Sequence, residues 1–162
     1  MHDSSDSSKI TEFVEVEVPV RTAYNQWTQF EEFPHFMEGV ESVAQLDDAT
    51  LRWRAEIGGR TKEWTARITE QEPDERIAWT SVSGARNAGV VTFHHLAPGR
   101  CRVTLQVDYE PEGAVENVGD LLGVVRRRVK GDLERFRSFI ETRGQETGGY
   151  RGTIPQGGHI SS

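Results

Sequence analysis

The sequence has one cysteine, Cys101, in 162 residues. An internal disulfide and a cysteine-based metal cluster are therefore excluded, and a reducing compartment is expected. No run of roughly 18 apolar residues is present, so no integral membrane association is predicted. The opening residues, Met1-His2-Asp3-Ser4-Ser5-Asp6-Ser7-Ser8, carry no apolar stretch of the secretory type. Together these absences predict a cytoplasmic protein. Positive charge is also scarce, with 19 basic against 26 acidic side chains and a net charge of -7. That balance excludes a general nucleic-acid binder and docking on an anionic membrane by charge alone. Neither a Gly-x-Ser-x-Gly elbow nor a phosphate-binding glycine fingerprint occurs, so no cofactor is implied.

Apolar residues make up 35% of the chain, a low share for a globular protein. Part of the shortfall lies in two polar ends. Residues 1–9 predict a disordered tail, and 144–162 a flexible, Gly-rich one. Tyr150 and Ile154 are candidate anchors for the second tail, on the body or on a partner chain, which leaves a homodimer open. The domain is expected over 10–143.

Within it, Val14, Val16, Val18 and Val20 alternate with Glu15, Glu17 and Pro19, the pattern of a half-buried strand closed by proline. Thr22 is placed to cap a short helix carrying Tyr24, Trp27 and Phe30. Phe33, Phe36 and Met37 around Pro34 predict a second helical turn, ended by Gly39. Six strand-like runs follow: Val40 to Leu46, Thr50 to Ile57, Lys62 to Glu72, Arg76 to Val82, Gly89 to Leu96 and Arg102 to Tyr109. Turn dipeptides such as Gly58-Gly59 and Pro98-Gly99 separate them, which describes an antiparallel meander.

Strand parity sorts the residues. Leu51, Trp53, Ala55 and Ile57 share one face, as do Trp64, Ala66 and Ile68, then Ile77 and Trp79. Val91, Phe93 and His95 form another such row, and so do Val103, Leu105, Val107 and Tyr109. The opposite face is a lattice of charges and hydroxyls. From about Ala114 to Arg143, Val118, Leu122, Val125, Val129, Leu133, Phe136 and Ile140 form a stripe at period 3.6. Glu112 and Glu116 favour the helix N-terminus, and Gly144 is a stop. Arg126, Arg127, Arg128 and Lys130 read as a solvated face.

One apolar sheet face must be covered, and the last helix is the only long amphipathic element available. A sheet curled around one helix leaves a gap, which becomes a cavity, and the two short helices close one end. The run Val14-Glu-Val-Glu-Val-Pro-Val-Arg-Thr-Ala-Tyr-Asn-Gln-Trp27, with Phe30-Glu-Glu-Phe-Pro-His-Phe-Met-Glu-Gly-Val40, resembles the opening of START-like helix-grip proteins (SRPBCC). Pro73-Asp-Glu-Arg-Ile-Ala-Trp79, Asn87-Ala-Gly-Val-Val-Thr-Phe93, Asp132-Leu-Glu-Arg-Phe136 and Glu146-Thr-Gly-Gly-Tyr-Arg-Gly152 look like the bacterial polyketide cyclase/dehydrase and coenzyme Q-binding branch. The resemblance implies an α+β helix-grip fold. Its strongly curved seven-stranded antiparallel sheet would wrap a long C-terminal helix, with two short helices after the first strand. It also implies binding of a small hydrophobic molecule, such as a polyketide, isoprenoid quinone or lipid. An aromatase/cyclase-type enzyme is the alternative, and a protein-interaction module the second alternative.

The expected cavity wall is Trp53, Trp64, Trp79, Phe93, Leu105, Tyr109, Leu122 and Val125. Tyr24, His35, Phe36, Gly119 and Gly123 are expected at its entrance. Gly119 and Gly123 would leave room for ligand entry or for close packing of the short helices. His95 and Tyr109 are candidates for proton handling. Arg67, where such relatives carry a strand arginine, has wet-face parity unless a bulge shifts it. His94 and His95 point to opposite faces, which argues against a shared metal. Cys101 reads as a buried strand residue. No acid–base pair inside the cavity emerges from these patterns.

Overall fold

Strand β1 (Lys9–Val16) buries Ile10, Val14 and Val16 and turns Thr11, Phe13 and Glu15 outward, as its alternation dictates. The computed structural model describes residues 9–110 and 118–156. Pro19 takes the position before helix α1 (Val20–Trp27), where a fixed φ is no burden. Thr22 lies inside that helix and makes no cap. A 3-10 turn follows over Phe30–His35, with Pro34 inside it.

The meander is β2 (Val40–Asp47), β3 (Thr50–Ile57), β4 (Arg60–Glu72), β5 (Arg76–Gly84), β6 (Arg86–Ala97) and β7 (Arg100–Glu110). All neighbours pair antiparallel, in the order β1-β7-β6-β5-β4-β3-β2. The chain's first strand thus lies against its last, and β1 and β2 are the edges. Register shifts in the β2–β3, β4–β5 and β6–β7 pairs bend the strands and curl the sheet.

Helix α2 (Val118–Arg143) fills the curl, so the expected helix-grip arrangement is the one adopted. The expected helix start at Ala114, with Glu112 and Glu116, lies outside the described residues. Burial along the α2 stripe is graded. Leu133, Phe136 and Ile140 are fully buried, Val129 and Val125 are 7% and 9% exposed, and Leu122 is half-buried. The helix therefore lifts away from the sheet toward its N-terminus. Beneath its other half, Tyr24, Trp27, Phe36, Phe93 and Phe136 pack edge to face, with centroids 5.0 to 6.3 Å apart. No helix among the described residues is long and apolar enough to cross a membrane.

Residues 144–156 depart from the loose tail expected there. Gly144 ends α2 with φ +77, and the chain then runs back across α1 to β4. Ile154 is 2% exposed and forms an antiparallel bridge with Gln71. Arg151 reaches both Asn25 (2.7 Å) and Asp74 (2.9 Å). We refer to this segment as the strap.

Candidate functional site

Where α2 lifts, a cavity of about 160 Å³ opens between the helix and the sheet. Its floor is Trp27, Phe30, Phe33 and Met37, from α1 and the 3-10 turn. Its sheet wall includes Trp53 and Trp64, directly paired across β3 and β4. Their rings stack in parallel, 5.4 Å apart and 11° from coplanar. Trp79 extends the wall, and its Nε1 donates to Asn87 Oδ1 at 3.1 Å. The Nε1 groups of Trp53 and Trp64 are buried with no acceptor among the described residues. All four tryptophans of the chain therefore line one cavity.

Leu105, Tyr109 and Val125 also stand in this wall. Phe93 shares their strand face but not their position. It packs on Tyr24 (5.3 Å) and Trp27 (6.3 Å) in the solid core. Leu122 packs on the core's edge without lining the cavity.

The expected entrance is corrected. Tyr24 is fully buried, and its hydroxyl accepts from Gln71 Nε2 at 3.1 Å. Burial pushes that hydroxyl up to about 12, against the pull of the Gln71 bond, which removes it from proton chemistry near neutrality. Phe36 is likewise core, against Phe136. His35 is exposed, lies 3.3 Å from Glu32 and stacks on Phe139 outside the cavity. Among the described residues, a side chain at Gly123 would meet only Arg127, 3.6 Å away, so no close packing seen there requires a glycine. Gly119 belongs to the first turn of α2, and its surroundings lie outside the described residues.

His95 is corrected too. Both His94 and His95 are exposed; His95 keeps register with Cys101 but lies at the end of β6, past the part of the inner face that is covered. Arg67 stays on the wet face, paired with Thr80, with register shifts on either side of it. Cys101 is buried and free, and burial pushes its thiol up to about 11, so it stays protonated and inert.

Charge enters the cavity from an element whose charges read as solvated. Arg128 and Asp132, one turn apart on α2, both line it, as does Glu38. Asp132 is 8% exposed, and its Oδ1 accepts from the Glu38 N–H (2.9 Å) and from Arg135 Nη2 (2.5 Å). Burial raises its carboxyl to about 6, opposed by the Arg135 and Glu38 hydrogen bonds and by the charge of Arg128. The cavity thus holds a carboxyl and a guanidinium within an apolar wall, a charged pair that strand parity could not supply. The four-residue spacing of Arg128 and Asp132 beside the apolar stripe was the only sequence signal for it.

Residues 16–137 match the model of a family described as polyketide cyclase/dehydrase and lipid transport. An uncharacterised 17.2 kDa protein of Streptomyces lincolnensis, from the melC2-rnhH intergenic region, is 58% identical over 148 residues. That match covers 91% of this chain and 99% of the relative. A solved protein of Deinococcus radiodurans is 29% identical with a TM-score of 0.65, over 84% of this chain and 98% of its own. The Zhui aromatase/cyclase of Streptomyces sp. R1128 superposes with a TM-score of 0.72 at 18% identity, over 88% and 98% of the two chains. A START superfamily protein of Mycobacterium smegmatis does so with 0.65 at 18%, over 83% and 95%. The last two show a shared fold.

Proposed function

Because the chain belongs to the polyketide cyclase/dehydrase and lipid-transport family, we propose that it binds a small hydrophobic molecule of polyketide, isoprenoid quinone or lipid-like type between its sheet and α2. The observation that carries this reading is the cavity itself, an aromatic-walled space with only a few polar groups. Apolar surface moved from water into such a space gains about 25 cal/mol per Å². A ligand bearing carbonyl oxygens would also give the Trp53 and Trp64 N–H groups the acceptors they lack.

Native mass spectrometry of gently purified protein, followed by solvent extraction, tests the reading. A defined hydrophobic molecule at near-stoichiometric level supports it and names the class. An empty chain whose tryptophan emission also ignores added apolar probes would refute it, since every tryptophan borders the cavity.

A second reading, a cyclase-type enzyme, is favoured by one observation, the Asp132 carboxyl beside Arg128 inside the apolar wall. A base poised near neutrality could take a proton next to a substrate carbonyl while the guanidinium steadies the enolate. Asp132→Asn should then keep ligand uptake and abolish product. Full turnover by that variant would remove the enzyme reading and leave the binding one standing.

A further inference from the structure

Arg128 closes the one charged corner of the cavity. Its Nη1 donates to the backbone carbonyls of Glu38 (2.9 Å) and Glu56 (2.7 Å), and its Nη2 lies 3.5 Å from Glu56 Oε1. One guanidinium therefore joins three elements: α2, the segment after the 3-10 turn, and the end of β3. The space it occupies is provided by Gly39, where a Cβ would collide with Nη1. Gly39 also has φ +86, so two separate requirements fix that residue as glycine.

All three elements meet at the cavity's rim. Glu38, Val40, Ile57 and Arg128 line it. The Arg128 side chain is 21% exposed, while those of Glu38 and Glu56 are 67% and 42% exposed. Among the described residues this is where charged lining meets solvent. The hold is also of a kind that can open. Two charge-assisted bonds to carbonyls and a long ion pair, all partly open to solvent, are individually limited, and water can replace the guanidinium at both carbonyls.

A contrast lies seven residues further along the same helix. Arg135 Nε donates to the Phe36 carbonyl (3.0 Å), and its Nη2 meets Asp132 (2.5 Å) and the Glu38 carboxylate (3.6 Å). It staples α2 to the same segment without lining the cavity. The staple anchors the segment, while Arg128 blocks the gap beside it.

We propose that Arg128 is a latch: a hydrophobic ligand passes between α2, Glu38-Gly39 and the end of β3 when the guanidinium releases the Glu38 and Glu56 carbonyls. The proposal rests on the binding reading above, and the test separates the two. Stopped-flow mixing with Nile red, a neutral apolar dye, is followed by tryptophan quenching in the wild type, Arg128→Ala, Arg128→Lys and Arg135→Ala.

Arg128→Ala should raise both association and dissociation rates about tenfold, the scale of losing one solvent-accessible hydrogen bond from a charged donor. Affinity should change far less than either rate. Arg128→Lys keeps the charge, but its Nζ is one bond shorter than Nη1 and leaves no second nitrogen for Glu56 Oε1, so its rates should fall between. Arg135→Ala should leave both rates near wild type while lowering the denaturation midpoint. Unchanged rates in Arg128→Ala overturn the latch, as does an equal rise in Arg135→Ala. Should Arg128→Ala fail to fold, wild-type rates in Arg128→Lys overturn it instead. A wild type that takes up no dye overturns the binding reading and the latch together, whereas dye uptake at unchanged variant rates overturns the latch alone.

Discussion

Gln26 and Thr147 exchange two hydrogen bonds across 121 positions of chain: Gln26 Nε2 donates to Thr147 Oγ1 at 3.0 Å, and the Thr147 N–H donates to Gln26 Oε1 at 2.8 Å. The glutamine is fully buried. Its neighbours repeat the theme. Asn25 Nδ2 donates to Glu146 at 3.0 Å, and Thr28 Oγ1 accepts from the Tyr150 N–H at 3.0 Å. Helix α1 thus carries buried polar side chains whose partners come from the strap.

Deleting residues 144–162 should strand those groups and uncover Ile154's contacts. Each buried polar group left unmatched costs about 1–3 kcal/mol, so the loss should be several kcal/mol. Gln26→Leu in the full chain should lower stability by about 1–2 kcal/mol, the net worth of its two hydrogen bonds to Thr147, whose exposed groups can turn to water instead. Urea denaturation measures both. A truncated chain with an unchanged midpoint would show that the strap contributes nothing.

Asp132, although paired with Arg135, makes stability depend on pH in the direction opposite to a carboxylate whose pKa is lowered. Its folded-state value is raised by burial to about 6, while Arg135, the Glu38 N–H and Arg128 pull it down. The folded state therefore binds a proton more tightly than the unfolded chain. Stability should fall as pH rises from about 4 to 6, with the penalty complete above that window and amounting to about 3 kcal/mol. Asp132→Asn removes this dependence. The stability difference between variant and wild type should move in the variant's favour as pH is raised through that window. A difference that stays flat with pH would mean that Asp132 keeps an ordinary carboxyl.

Two substitutions separate cavity from core. Val125 lines the cavity on α2, so Val125→Phe should fill empty space. It should weaken Nile red binding about tenfold or more while leaving stability near wild type. Phe93 is 6% exposed in solid core, so Phe93→Ala should cost about 3–5 kcal/mol and leave affinity unchanged in whatever fraction stays folded. The reverse pattern would return Phe93 to the wall. Denaturant melts and dye titrations of the same samples decide it.

The fold was legible because two periods carry it. Alternation placed Trp53, Trp64, Trp79, Leu105 and Tyr109 on the inner face, and the 3.6-residue stripe placed Val125 above them. Parity gives a face but not a depth, and so Phe93 was grouped with the wall although it lies beneath the aromatic end of α1. Parity also fails at bulges. After Ile68 a register shift turns Gln71 into the core, while His95 keeps its register but stands too near the strand's end to be covered. On α2, charge read as solvation hid Arg128, and Asp132 was given no role beyond the resemblance; both reach the cavity from the flank of the stripe. Of the strap only the anchor was legible: Ile154 was a candidate and is buried against Gln71, while the glycines around it read as a linker. At Gly148, Gly149 and Gly152 a Cβ would press on Gln29, Asn25 and Tyr150. Those positions are small so that the backbone can come close.

The pairing of β1 with β7 also sets a schedule for synthesis. Strand β1 is made well before β7 and has no strand partner among the described residues until almost a hundred further residues follow, Ile10 pairing with Val107. The polar groups of α1 wait longer still, for the strap at the far end of the chain. Neither end of the molecule can be completed in pieces, so folding closes late and through distant contacts, which is the slow regime. Until then the newborn chain shows an open sheet edge and a tryptophan-rich inner face, the surfaces that a cell's holding chaperones recognise and that crowding turns into aggregates.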